Sequence, residues 1–494
     1  MSTLESYFEP FRKQTIGNEL AFKTPNGIKK MIYADWIASG RLYRPIEDRL
    51  TNVIGPYVGN THTETSETGT LMTKAYHLAQ KKIKQHINAD AKDVIITAGS
   101  GMTTVVNKLQ RIMGLKSCGI LRKGKCIQEQ QDRPVVFITH MEHHSNHTSW
   151  IETNVDVVVL KPNKDLLVDL SELRRQLEIH KNRPFKIGAF TACSNVTGIE
   201  TPYHEMARIM HEYGGVAFID FAASAPYVDI DMHPADDEMK KLDAIYFSPH
   251  KFLGGPGSSG VLVFDGSLYK NETPDNPGGG TVDWTNPWGE YKYIDDIELR
   301  EDGGTPGFLQ AMRTALAIEV KNQMTTLKIR QREHELVQKA FKGLRPIDGV
   351  HILADNIENR LGVLSFYIDN VHFNLVVKLM NDRFGIQVRG GCACAGTYGH
   401  YLLDVSHDKS KQITDLINHG DLSQKPGWIR ASLHPTMTDE EVDFLIEAVA
   451  QIAQNAKEWE ADYVYNRHTN EFRHKSEPED KTVWVTEWFD LSDK

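Results

Sequence analysis

Between residues 94 and 264 the chain repeats one pattern: a short apolar run, a polar or glycine-rich turn, and an amphipathic stretch. The runs are Val94 to Thr97, Val135 to Ile138, Val157 to Leu160, Lys186 to Phe190, Val216 to Asp220, Ala244 to Phe247 and Gly260 to Phe264. Each is rich in β-branched or aromatic residues and bounded by turn residues, which marks a buried strand. Helical spacing fills 71–88, 102–113, 171–180 and 202–213. Strands alternating with helices predict an α/β fold, a largely parallel sheet covered by helices on both faces. Ligands of such sheets sit at the carboxyl ends of the strands. The chemically notable residues at 99–101, 143, 193–195, 220 and 248–251 all fall at or just after strand ends.

Residues 1–30 read as a polar, partly helical lead-in that packs with a small domain, and 31–310 as a large α/β domain. Within the latter, 265–310 form an ordered excursion anchored by Trp284, Trp288, Tyr291 and Tyr293. A long helical pattern runs from Leu309 to Glu335, and 311–461 read as a smaller α+β domain. The tail 462–494, rich in charge, Tyr and Trp, is expected to pack on another surface. Hydrophobic residues at 40% and charged residues at 25% suit an ordinary globular protein. A formal net charge of -10 argues against a nucleic-acid partner. No apolar run approaches the ~18 residues that span a bilayer, and no basic-then-apolar leader opens the chain, so the reading is cytoplasmic. The five cysteines, Cys118, Cys126, Cys193, Cys392 and Cys394, are too sparse for a disulfide framework. They suit a reducing compartment, where a special cysteine is a chemical one.

The run Ala244 to Phe247 ends in Ser248-Pro249-His250-Lys251, followed by Gly254-Gly255-Pro256-Gly257. Pro249 has no N–H for a sheet ladder and stops the strand. A lysine at the mouth of a sheet, under a glycine-rich turn, is placed for desolvation. Desolvation lowers its pKa and yields a neutral, nucleophilic amine. The motif therefore predicts a Schiff-base lysine, with a plain surface lysine as the alternative. His140, His143, His144 and His147 crowd one turn, and Cys392 and Cys394 could add sulfur ligands. That spacing fits no standard zinc pattern, and no metal is expected.

Taken together, these motifs resemble the class V, fold-type I pyridoxal-phosphate enzymes, and among them the cysteine desulfurase and selenocysteine lyase branch, over residues 31–455. The resemblance implies pyridoxal 5'-phosphate as cofactor, a Schiff base on Lys251, and Lys251 as the group that moves the substrate proton. It implies Ser248 and His250 on the cofactor phosphate, joined by Ser100 and Gly101 at a helix start. Asp220 would face the pyridine nitrogen, His143 would stack on the ring, and Asn195 would touch cofactor and substrate. Arg430, in Trp428-Ile429-Arg430, would clamp the substrate carboxylate. Gly304-Thr305-Pro306 implies that Thr305 reaches the phosphate of a neighbouring subunit, hence a homodimer with shared sites.

The stretch Arg389-Gly390-Gly391-Cys392-Ala393-Cys394-Ala395 resembles the Arg-x-Gly-x-x-Cys-Ala loop of desulfurases. It implies Cys394 as the sulfur-accepting nucleophile, Arg389 as a substrate-binding residue, and a sulfur-acceptor protein as partner. Cys392 is an extra thiol able to relay sulfur; two small buried residues are the alternative. Two departures stand out. Asp220-Phe221-Ala222-Ala223 replaces the family's Asp-x-Ala-Gln, so Ala223 brings no hydrogen bond to the cofactor. The stretch 397–427 is also longer than in compact desulfurases. The expectation is an enzyme on an α-amino acid, cysteine desulfurase-like. A class V aminotransferase or another lyase or epimerase stays open, because these share Lys251, Asp220 and Arg430. An inactive scaffold would lose Lys251 or Asp220, and both are present.

Overall fold

All seven apolar runs form strands of one sheet, in the order Asp93–Ala98, Gly260–Asp265, Ala244–Phe247, Val216–Asp220, Lys186–Thr191, Val135–Ile138, Asp156–Val159. The computed structural model describes residues 3–116, 133–477 and 482–492; Cys118 and Cys126 lie outside them. Gly260–Asp265 runs antiparallel to both neighbours, and the other pairs are parallel. The central strands are buried along their whole length. Burial on both faces explains why they read as continuous apolar runs rather than alternating ones.

A second sheet carries Val350–Ile352, Val363–Ile368, Trp428–Ser432 and Arg389–Gly391, in that order. Arg389 and Arg430 are register partners on adjacent antiparallel strands. The helical pattern expected over 309–335 is two helices, Phe308–Met324 and Thr326–Leu344. Thr325 breaks them with a φ of 56°, a left-handed angle costly for a β-branched residue and invisible to periodicity. The first of these helices runs through residue 311, so the expected domain boundary falls inside an element. Its Met312 and Ala315 pack with Met72 and Ala79 of the helix Glu67–His86. The tail begins with a hairpin, Tyr463–Asn466 and Glu471–His474. Phe472 of this hairpin is buried against the ring of His372, at the start of the helix Phe373–Leu379.

The segment between Tyr33 and Tyr43 joins the two sheets. On one side Ile32–Tyr33 pairs in parallel with Ile386–Gln387, and Ser432 donates its N–H to the Ala34 carbonyl at 2.7 Å. On the other, Gly40 donates to the His250 carbonyl at 2.9 Å, and Gly254 donates to the Arg41 carbonyl at 2.7 Å. A Cβ on Gly40 would lie 1.9 Å from the Phe252 carbonyl oxygen, so only glycine lets the segment approach the Lys251 turn. Gly40→Ala is expected to destabilise the protein by about 2 kcal/mol, read as a lower midpoint of chemical unfolding. An unchanged midpoint would contradict the close approach.

Candidate active site

Asp220 ends its strand, and Lys251 closes the 3-10 turn Pro249–Lys251 just after the neighbouring strand Ala244–Phe247. Both face a chamber of about 1180 Å³ at the carboxyl end of the sheet. His143, Asn195, Ser248, His250, Arg389, Arg430, Cys392 and Cys394 line the same chamber. Ser100, Gly101 and Thr305 are not on its wall. Ser100 is exposed and offers its carbonyl to His250 Nδ1 at 2.8 Å; Thr305 lies elsewhere, its Oγ1 donating to Asn60 Oδ1 at 3.3 Å. At the start of the helix Met102–Ile112, Met102 and Thr103 line the chamber instead. The Met102 N–H donates to Ser248 Oγ at 2.9 Å.

Burial sets the charge states. Desolvation lowers the Lys251 pKa to about 8, against the opposing pull of Asp220. At pH 7 roughly a tenth of such an amine is neutral, far more than for an ordinary lysine. Desolvation raises Asp220 to about 6, partly offset by the Ala222 N–H that donates to its Oδ1 at 2.8 Å. His143 is lowered to about 3, first by burial and then by Lys251, so its ring is neutral. Its Nδ1 accepts from the Ser145 N–H at 3.1 Å, which leaves the proton on Nε2.

Glu142, next to His143, has no role in the sequence reading. It is fully buried, and its oxygens accept from the Thr139 N–H and hydroxyl, the Thr191 N–H and the Asn146 amide. Desolvation raises its pKa to about 8, against the pull of the donors that face it, and it ties the turn after Val135–Ile138 to Thr191. The crowded histidines are also accounted for. His140 bonds the Leu166 carbonyl at 3.0 Å, and His144 Nε2 accepts from the Gly396 N–H at 3.1 Å.

The cysteine loop is held from two sides. Asn195 Nδ2 donates to the Ala393 carbonyl at 2.7 Å, and the His144 N–H donates to the Cys394 carbonyl at 2.7 Å. Ala393 and Cys394 have φ of 49° and 57°, left-handed angles that non-glycine residues adopt only under constraint. Cys394 is exposed and Cys392 half-buried. The outer wall comes from the tail: Thr469 to Arg473 line the chamber, and Asn374 Nδ2 donates to the Asn470 carbonyl at 2.5 Å. A hydropathy reading had no period to find in so short a hairpin.

Residues 32–445 match the family model for aminotransferase class-V. The chain belongs to the class-V aminotransferase family. Its members depend on pyridoxal phosphate, and this is a pyridoxal-phosphate-dependent enzyme. A probable cysteine desulfurase of Halalkalibacterium halodurans is 28% identical over 373 residues, 74% of this chain and 84% of that protein. One of Staphylococcus epidermidis is 28% identical over 86% of this chain and 92% of its own length. The apo structure of the cysteine desulfurase of Thermococcus onnurineus superposes with a TM-score of 0.70 at 21% identity, covering 90% and 98% of the two chains. The cysteine desulfurase CsdA of Escherichia coli gives 0.68 at 22%, with the same coverage. The hairpin 463–474, which forms part of the chamber wall, lies outside the span matched by the family model. Among the described residues no helix is long and apolar enough to cross a membrane.

The chamber suits the cofactor. Asn195 Oδ1 and Arg430 Nε are buried without a hydrogen-bond partner, and Asp220 is a buried carboxyl facing the chamber. A Cβ on Gly101 would meet His250 Cε1 at 3.0 Å and Ser248 Oγ at 3.1 Å, so a glycine keeps that cradle open. Asn195→Ala is expected to free the Ala393 carbonyl and raise the alkylation rate of Cys394 by iodoacetamide about fivefold. An unchanged rate would show that the loop is held without it.

Proposed function

We propose that the protein is a cysteine desulfurase-like enzyme that takes sulfur from L-cysteine onto Cys394. The observation that carries this reading is the convergence, in one chamber, of a half-buried lysine, a buried carboxyl, two guanidiniums and an exposed thiol on a strained loop. The names of the relatives point the same way.

Lys251 would hold pyridoxal phosphate covalently, Asp220 would pair with its pyridine nitrogen, and the neutral His143 ring would lie on its face. Ser248, His250 and the N–H groups at the start of Met102–Ile112 would receive the phosphate. When bound, the cofactor supplies an electron sink for the α-carbon of the amino acid. Arg430 and Arg389 take the α-carboxylate and fix the substrate's orientation. Lys251, with its lowered pKa, accepts and returns a proton at the substrate carbon. Cys394 attacks the substrate sulfur as a thiolate. The new S–S bond replaces the substrate's C–S bond, whose electron pair stays with the three-carbon fragment; protonation gives alanine and a Cys394 persulfide. A protein thiol then removes the terminal sulfur.

A second copy of the chain belongs to this reading. Thr305, Asn60 and His62 form an exposed polar cluster away from their own chamber, as groups serving a neighbouring subunit would. Free thiols at 193, 392 and 394 suit a cytoplasmic setting.

Incubation with L-cysteine, without reductant, is expected to add one sulfur to the intact mass and release alanine; Cys394→Ala should abolish both. If the variant instead retains amino-group transfer to a keto acid and the wild type gains no sulfur, the enzyme is an aminotransferase. Lys251→Ala is expected to lose the borohydride-reducible bond to the cofactor, and its retention would exclude Lys251. Loading of cofactor-free protein should accelerate as pH rises through about 8, where the amine loses its proton, and level off above. Asp220 raises that pKa, so Asp220→Asn should move the break to lower pH. A stopped-flow rate that is flat between about pH 6 and 9 would contradict this.

A further inference from the structure

Asp35 does not line the chamber, yet it touches both guanidiniums that do. Its Oδ1 accepts from Arg430 Nη2 at 2.9 Å, and its Oδ2 accepts from Arg389 Nε at 3.1 Å and Nη2 at 3.0 Å. The aspartate is fixed by the segment that joins the two sheets. Asp35 forms a parallel bridge with Ser432, and its carbonyl accepts from the Tyr33 hydroxyl at 3.3 Å and the Ala38 N–H at 3.0 Å. We propose that Asp35 is the positioning residue of the substrate-carboxylate clamp, and that it tunes the clamp to one α-carboxylate. This rests on the reading of Arg430 and Arg389 as that clamp.

The two arginines stand opposite each other on adjacent strands, where like charges repel. Arg430 is almost wholly buried, with a side chain 4% exposed, while that of Arg389 is 52% exposed. A half-exposed arginine is a flexible group whose ordering costs entropy. A carboxylate behind both removes the repulsion and fixes both planes before substrate arrives. Arg430 Nη1 donates to the Asn195 carbonyl at 3.2 Å, and its buried Nε is left without an acceptor. Two cations and one anion leave the group one net positive charge. A single ligand carboxylate neutralises it; a second would enter uncompensated.

The test is steady-state kinetics of the holoenzymes Asp35→Asn, Asp35→Glu and Arg430→Lys with L-cysteine, with propionate and succinate as competitive inhibitors. For Asp35→Asn the expected result is a KM raised about tenfold with kcat within about threefold. Succinate should also gain on propionate by about tenfold, because the clamp then carries an extra positive charge. Loss of packing alone would not produce that relative gain. Asp35→Glu keeps the charge and guards against a folding defect; it should raise KM about threefold and leave the inhibitor preference unchanged. Arg430→Lys should raise KM as well. If it does while both Asp35 variants keep the wild-type KM and preference, the positioning role is overturned and the clamp stands. If Arg430→Lys also leaves KM unchanged, the clamp reading fails and this inference with it.

Discussion

The chamber depends on a single connecting segment. Residues 33–43 are hydrogen-bonded to the Lys251 turn through Gly40 and Arg41, and to the second sheet through Ala34 and Asp35. Neither sheet supplies the whole site. The large one brings Lys251, Asp220, Ser248 and His250, and the small one brings the arginines. The stretch is anchored by packing as well: Trp36 stacks on the buried His434, with ring centres 3.9 Å apart and an interplanar angle of 15°. Side chains on rigid sheets, bridged by backbone hydrogen bonds, are held more tightly than side chains on free loops.

Burial then turns ordinary residues into reactive ones. An isolated ion in an apolar interior is costly, so buried groups shift toward their neutral forms. Lys251, Asp220, Glu142 and His143 are all displaced in that direction. Lys251 and Asp220 keep each other as partial countercharge, and desolvation outweighs that attraction at both. At the arginines an internal carboxylate is already in place.

Much of this was legible in the sequence. Seven apolar runs named the sheet, and Ser248-Pro249-His250-Lys251 marked the strand end at which the lysine meets the chamber. These are local signals: a run length, a proline, a glycine turn. What escaped was non-local. The role of Asp35 depends on arginines more than 350 residues away in the chain, at separations of 354 and 395. Glu142 is only a polar residue after a strand in the sequence, and its partners come from the end of the neighbouring strand at Thr191 as well as from Thr139 and Asn146. Thr325 splits a periodic helix through one backbone angle. The tail hairpin is four residues to a strand, below what alternation can establish, and its place at the chamber mouth is set by contacts with the helix Phe373–Leu379.

The wide separation along the chain has a consequence for biosynthesis. The sheet that carries Lys251 is complete once residue 265 has emerged, whereas the arginines and the tail hairpin follow much later. At about 5–20 residues per second, Asp35 waits roughly 20 to 70 seconds for Arg389. Through that interval Trp36 and Ile37 have no second sheet to cover them, and the nascent chain presents an apolar strip of the kind chaperones retain. The growing chain therefore completes its lysine-bearing sheet before the strands that carry Arg389 and Arg430 exist, and the two halves of the chamber come together only late in synthesis.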